Sequence, residues 1–215
     1  MAFPIRKLST EISGVRRGNV LRLGGSKWNL ANLSGRLVEL SGDQNTASLT
    51  MIFQLVKEAQ ILSEPVAWIT LRAQAFYPPD AAAGGVDLST LTVVRVPEYK
   101  DLCRAADRLA RCQAFGLLVL DFTAGDERVL RHSVPMAVLS RLLGLAQSNH
   151  LAVVFLTCKP ERAASLGSLI SLRGQTSRRR TAQDQFVCRM QIVKDKRRAP
   201  GWKHEVICRG PAGLH

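Results

Sequence analysis

The chain has 215 residues, of which 46% are apolar, and 16 are glycine and 9 proline, which excludes a disordered, collagen-like or low-complexity polymer. At roughly 100–200 residues per domain, this length predicts one domain with extensions. Lys and Arg number 30 against 17 Asp and Glu, a net charge of +13; an excess of that size favours anionic partners such as nucleic acid. The N-terminus, MAFPIRKLSTEIS, has no apolar stretch after its basic residues, and no run approaches the roughly 18 apolar residues of a membrane span. A cytoplasmic protein without membrane contact is expected. Cys103, Cys112, Cys158, Cys188 and Cys208 are widely spaced, and no CxxC or HxxxH pairing occurs. They read as small buried hydrophobes of a reducing compartment, so neither a disulfide frame nor a metal site is expected.

The charge is uneven. Residues 1–36 carry seven Lys/Arg against Glu11, residues 37–158 ten basic against twelve acidic, and residues 159–215 thirteen basic against four acidic. A near-neutral body therefore lies between two basic flanks, and the C-terminal flank is the stronger.

In chain order, Leu37–Leu40 is a short apolar strand, followed by a polar turn over 41–45. Thr46–Leu62 repeats its apolar residues at helical spacing (Leu49, Ile52, Phe53, Leu55, Val56, Ala59). Val66–Leu71 is a second strand, 76–87 is turn-rich, and Leu91–Val96 is a third strand. Tyr99–Phe115 is a helix, and Leu117–Leu120 is a fourth strand ending at Asp121. Val134–His150 is a helix with Pro135 in its first turn, where proline is tolerated, and Ala152–Leu156 is a fifth strand. Lys159–Arg180 reads as a flexible Ser/Gly/Arg segment, and Phe186–Val193 and His204–Cys208 as two strands joined by a basic turn. Apolar strands alternating with helices predict a mostly parallel sheet covered on both faces, and the last two strands an antiparallel C-terminal extension. The expected division is a basic segment over 1–30, an α/β domain over 31–209 with its basic loop and edge strands at 159–203, and a tail over 210–215.

A strand, a glycine turn and a helix make the frame of a phosphate-binding loop, whose chemistry needs GxxxxGK[ST]. Here the frame is Gly42-Asp43-Gln44-Asn45-Thr46-Ala47-Ser48-Leu49. Its second glycine is Ala47, its lysine Ser48 and its magnesium-holding hydroxyl Leu49, while Asp43 adds negative charge where a triphosphate would sit. By these residues it is either a degenerate nucleotide loop or an ordinary strand-to-helix turn. With no polar duty left, Leu49 is expected to turn inward with Ile52 and Phe53.

The order of segments resembles the RecA recombinase family. Ser34-Gly35-Arg36-Leu37-Val38-Glu39-Leu40-Ser41-Gly42 matches the strand that leads into the family's phosphate loop, and Gly85-Val86-Asp87 with Leu91-Thr92-Val93 its GVD…LLV segment. Leu117-Leu118-Val119-Leu120-Asp121 matches the Walker B strand, and Gln191-Ile192-Val193-Lys194-Asp195-Lys196 the VVKNK strand. Within that family the chain looks most like the ImuA group, the accessory proteins of bacterial mutagenic repair cassettes. The resemblance implies a RecA-like core, with Gly42, Asp43, Ala47, Ser48, Leu49 and Asp121 as a degenerate nucleotide site. Ala73 stands where the family has its catalytic glutamate, and no acid occurs from Val66 to Pro79. No cofactor and no catalytic residue are expected.

The segment after the fifth strand corresponds, in that resemblance, to the loop that holds single-stranded DNA. Lys159, Arg162, Arg173, Arg178, Arg179 and Arg180 are followed by Lys194, Lys196, Arg197, Arg198, Trp202 and Lys203. Cations release counterions from a phosphate backbone, and Trp202 is either a base-stacking platform or a structural staple. Sequence-nonspecific contact with single-stranded DNA is expected; a protein partner or a solvated face are the alternatives. The ImuA likeness implies a polymerase-like ImuB partner, and RecA itself as a further one. Two other readings stay open: a division inhibitor resembling SulA that binds FtsZ, and a divergent ATPase.

Overall fold

The apolar runs pair side by side because both faces of each are buried. A computed structural model describes residues 27–43, 46–73, 76–125, 134–181 and 185–209. In chain order these form α1 (Leu30–Leu33), β1 (Arg36–Gly42), α2 (Ser48–Ile61), β2 (Val66–Leu71) and α3 (Pro78–Ala83). A 3-10 turn (Leu88–Thr90) then leads into β3 (Leu91–Val96), α4 (Tyr99–Arg111), β4 (Leu117–Phe122), α5 (Met136–Ser148) and β5 (Ala152–Cys158). The last elements are β6 (Leu172–Arg180), β7 (Gln185–Asp195) and β8 (Lys203–Arg209). They build one eight-stranded sheet in the order β3-β2-β4-β5-β1-β6-β7-β8. The first six of these strands run parallel, and β6–β7 and β7–β8 are antiparallel. This is a RecA-like α/β fold, mostly parallel with an antiparallel C-terminal extension, as expected.

Side chains alternate along each strand, so each face has its own core. On one face Val38, Leu40, Trp68 and Met190 meet Met51, Ile52, Phe53 and Leu55 of α2, with Trp68 against Phe53 and Phe76 at ring distances of 5.6 and 5.2 Å. On the other, Leu37, Ile69, Leu120 and Phe155 meet Leu102, Ala106, Leu139 and Leu142 of α4 and α5. Burial of such side chains contributes roughly 1.5–3 kcal/mol each. Among the described residues, no helix is long and apolar enough to cross a membrane.

Several boundaries differ from the sequence reading. The second long helix stops at Arg111, not Phe115, because Gln113 takes a left-handed φ of 57°. The third starts at Met136 with Pro135 as its extended N-cap, outside the first turn. Lys159–Arg180 is no flexible segment. Residues 159–171 are pinned through buried side chains, and Leu172–Arg180 is a strand whose Leu172, Gly174 and Thr176 face α2. Gly174 leaves room for Met190, since a Cβ there would lie 2.7 Å from its sulfur.

Leu49 also departs from expectation. It is 43% exposed, and the neighbouring Ser48 is buried in its place. The first turn of α2 directs Ser48, Met51 and Ile52 at the sheet, which leaves Leu49 on the opposite side. Leu49→Ala is therefore expected to move the thermal midpoint by no more than about 2 °C, whereas Ile52→Ala should cost roughly 2–5 kcal/mol. Paired melting curves of the two variants check this.

Candidate nucleotide loop and basic edges

The loop after β1 is filled from within. Thr46 turns its side chain back over Gly42, where it meets Ser48 and Thr176 in a triangle of hydroxyls with Oγ–Oγ distances of 2.7, 2.9 and 2.8 Å. Thr176 donates to the Ser41 carbonyl at 3.0 Å, and the Ser48 N–H donates to Thr46 Oγ1 at 3.1 Å. The helix consequently begins at Ser48, two residues later than its apolar spacing suggests. Gln44 and Asn45 lie outside the described residues.

Gly42 has a packing duty here. A Cβ added to it would stand 2.0 Å from Thr46 Oγ1 and 2.7 Å from Thr176 Oγ1. Gly42→Ala should therefore destabilise the protein by about 1–3 kcal/mol, the range for overpacking, and Thr46→Gly in the same chain should restore part of that. A glycine kept open for a phosphate would behave differently: Gly42→Ala would leave the urea-unfolding midpoint unchanged.

Asp121, at the end of β4, is buried, and its Oδ1 accepts from the Thr123 N–H at 3.1 Å and the Thr123 hydroxyl at 2.7 Å. It closes the turn that leaves the strand. Among the described residues, no group of three or more His, Cys, Asp or Glu is placed to hold a metal ion.

A buried polar network that sequence reasoning missed lies under the same edge of the sheet. Glu39, in the middle of β1, is fully buried. Its carboxylate pairs with the Lys159 ammonium, accepts from Thr157 Oγ1 at 3.2 Å, and accepts from the Leu166 N–H at 2.9 Å. Arg173 is also buried; it donates to Ser41 Oγ at 3.2 Å, to the Pro160 carbonyl at 2.9 Å and to the Ala163 carbonyl. Lys159 further donates to the Ala164 carbonyl at 2.8 Å. Buried charges persist only when paired and hydrogen-bonded, and here the pairing holds the crossover from β5 to β6. The signal in the sequence was one acid inside the apolar run Leu37-Val38-Glu39-Leu40.

The basic residues do not form one patch. Lys159 and Arg173 are inside. Lys194 is half-buried, donating to Ser165 Oγ and the Gly167 carbonyl at 3.3 Å each. Burial, then the neighbouring charges of Lys196 and Arg173, lower its pKa, with Glu39 opposing. Arg197 donates to the Ser34 and Gly35 carbonyls and Arg198 to Asn32 Oδ1, so the turn after β7 is fastened beside the start of β1. Trp202 donates to Asp195 Oδ2 at 3.2 Å while Lys27 lies over its ring at 5.9 Å. Its polar tip and one face are occupied, which makes it a staple of that turn. Asp195 also pairs with Arg36 at 2.6 Å. Burial opposes its ionisation, but the Arg36, Arg197 and Trp202 hydrogen bonds and the Arg36 charge outweigh it and hold its pKa below the ordinary value.

Arg178, Arg179 and Arg180 sit at the other end of the same hairpin. β6 pairs with β1 as far as Thr176 opposite Gly42, and the four residues after it, all exposed, run roughly 13 Å past that point. Arg178 lies over the Phe186 ring at 5.2 Å. Along β6 and β7 this triplet stands about 25–30 Å from Lys196. Arg162 is exposed in the crossover, and Lys196 and Lys203 are exposed at the far end.

No family model matches the chain. It is 31% identical to protein RecA of Picosynechococcus sp. over 90 residues, 42% of this chain and 26% of that protein. It is 27% identical to protein RecA of Acinetobacter baylyi over 135 residues, 57% of this chain and 38% of that protein. The matches thus span well under half the length of either relative. With the sheet described above, they support a RecA-like family for the chain.

Proposed function

We propose that the protein is a non-catalytic RecA-like accessory protein of the DNA damage response and translesion synthesis. Residues 31–209 act as its RecA-like unit, with the basic segment 1–30 attached. The observation that carries this reading is the pairing of two features at one edge of the sheet. The space over Gly42 is taken by the Thr46 side chain, and three consecutive exposed arginines, Arg178, Arg179 and Arg180, project beside it. The first removes room that a triphosphate would need, and the frame carries Ser48 in place of the lysine and Leu49 in place of the magnesium-holding hydroxyl. The second offers a row of cations to a phosphate backbone. Such contacts carry no base information, so binding to single-stranded DNA is sequence-nonspecific. The remaining surface docks on protein partners, the polymerase-like ImuB type first and RecA second.

The test is DNA binding followed by fluorescence anisotropy, with and without ATP and magnesium, beside calorimetry of ATP alone. The proposal expects binding to single-stranded DNA that nucleotide does not change, and no heat of ATP binding at millimolar concentration. A magnesium-dependent ATP heat would return the divergent-ATPase reading. Absence of DNA binding together with inhibition of FtsZ assembly would favour the division-inhibitor reading.

A further inference from the structure

α4 and α5 lie side by side on the face of the sheet opposite α2, where Leu102 and Ala106 of the first share a core with Leu139 and Leu142 of the second. At their far ends Asn149 Nδ2 donates to the Ala110 carbonyl at 2.8 Å, which fastens the pair. On its solvent side the pair opens into a groove of about 430 Å³, a volume within the range of ligand-binding clefts. On α4, Lys100, Arg104 and Arg108 line this groove at four-residue spacing, so three cations stand in one row about 6 Å apart along the helix. Cys103 and Asp107 form the row beside them. Pro135, Val138 and Arg141 supply the opposite wall at three-residue spacing.

The floor of the groove is apolar and its rims are basic. Val138 is half-buried and Cys103 buried, and burial pushes the Cys103 thiol up to about 12, so it stays neutral. Asp107 is the one acid of the lining; its Oδ2 accepts from Arg111 Nε at 2.9 Å and its Oδ1 lies 3.6 Å from Arg141 Nε, so its charge is answered within the protein. Lys100 pairs with Glu98 at 2.7 Å and Arg104 with Asp101 at 3.0 Å, but both cations are more than half exposed, and pairs of that kind exchange readily for a partner's carboxylate. Arg108 is exposed and has no ion pair among the described residues. α5 carries no acid. Residues 37–158 as a whole hold twelve acidic against ten basic residues, so four cations around one groove are a local excess.

We propose that this groove docks an acidic amphipathic helix of a partner protein, which lays one apolar side chain on Val138 and Cys103 and sets carboxylates at one-turn spacing against Arg104 and Arg108. The inference rests on the partner-docking part of the function proposed above, and gives that docking a place and a chemistry. Charge complementarity selects the occupant. Carboxylates four residues apart on a helix repeat at the same rise as the cation row of α4, and an apolar face in a groove is the ordinary mode of helix recognition. A nucleic-acid strand fits less well, because the floor is apolar and Asp107 stands in the path of its phosphates. A second copy of this chain would bring its basic flanks, seven Lys/Arg against one acid over residues 1–36, to a basic groove.

The experiment follows the anisotropy of a labelled helical peptide, with Glu at every fourth position and one central Leu, as the full chain is added. Saturable binding is expected, and replacing the peptide's Leu by Ala should weaken it by about tenfold or more. Arg104→Glu with Arg108→Glu should weaken the Glu peptide to a similar degree and bind a Lys version of it better than wild type does. Arg108→Gln alone, a change of one exposed side chain, should cost about threefold and serves if the double variant fails to fold. Unchanged affinity in these variants would overturn the inference, as would a Leu-to-Ala peptide that binds as well as its parent. Loss of single-stranded DNA binding in the same variants, with DNA displacing the peptide from wild type, would give the groove to nucleic acid instead. Peptide binding that fails while DNA binding persists rejects the groove alone. A wild-type chain that binds neither rejects the proposed function with it.

Discussion

Glu39→Ala is expected to be the most destabilising single substitution at the carboxyl edge of the sheet. It leaves the Lys159 ammonium, only 5% exposed, without its counter-charge, and it strands the Leu166 N–H, while the Thr157 hydroxyl keeps only its partner Ser41 Oγ. Breaking a buried pair by removing one partner costs about 3–5 kcal/mol. For a chain of this size that lowers the thermal midpoint on the order of 10 °C. Replacing both charges with apolar residues of similar volume, Glu39→Leu with Lys159→Met, should recover most of the loss, because no unpaired charge remains. Thermal melts of the two single variants and the double variant measure this coupling. A Glu39→Ala midpoint within a degree or two of wild type would mean that water already satisfies Lys159.

Changing Arg178, Arg179 and Arg180 together to Ala is expected to weaken binding to single-stranded DNA without loosening the fold. Each phosphate neutralised on a single strand contributes about 0.7 to the slope of log affinity against log salt. Three lost contacts reduce the slope by about 2, which corresponds to roughly 100-fold at 0.1 M salt and almost nothing at 1 M. The loss should be equal for all base sequences, since these contacts read none. The thermal midpoint should move little, because the three side chains are exposed and such substitutions usually cost under about 0.5 kcal/mol each.

The sequence made the parallel half of the sheet legible for a simple reason. VAWITL, LLVL and AVVFL are unbroken apolar runs between turn residues, and runs of that kind belong to strands buried on both faces. β6 was not legible. LRGQTSRRR has one glycine, no large apolar residue after Leu172 and four arginines, so its composition resembles a loop. It is a strand because Leu172, Gly174 and Thr176 fit against Met190 and Ser48, and because Arg173 finds acceptors for its guanidinium inside.

The site divided in the same way. The frame from Gly42 to Leu49 was visible from its spacing, but the hydroxyl triangle was not, since Thr176 lies 130 residues beyond Thr46 and is brought there only by the pairing of β6 with β1. The cations were plain in the composition. Their separation into a carboxyl-edge triplet and an amino-edge turn depends on the direction of the β6–β7 hairpin, which composition does not encode.

We propose that the carboxyl-edge arginines, beside an internally filled loop, are where this RecA-like body meets DNA. A single salt titration distinguishes the two edges of the sheet. Wild type, the Arg178/Arg179/Arg180→Ala variant and a Lys196/Arg197/Arg198→Ala variant are compared on the same single-stranded oligonucleotide across a range of salt concentrations. Only the first variant should lose slope, by about 2, and the second should stay close to wild type because Arg197 and Arg198 are already engaged by Ser34, Gly35 and Asn32. An unchanged slope in the first variant, with the loss appearing in the second, would contradict it and place the nucleic acid at the opposite edge of the sheet.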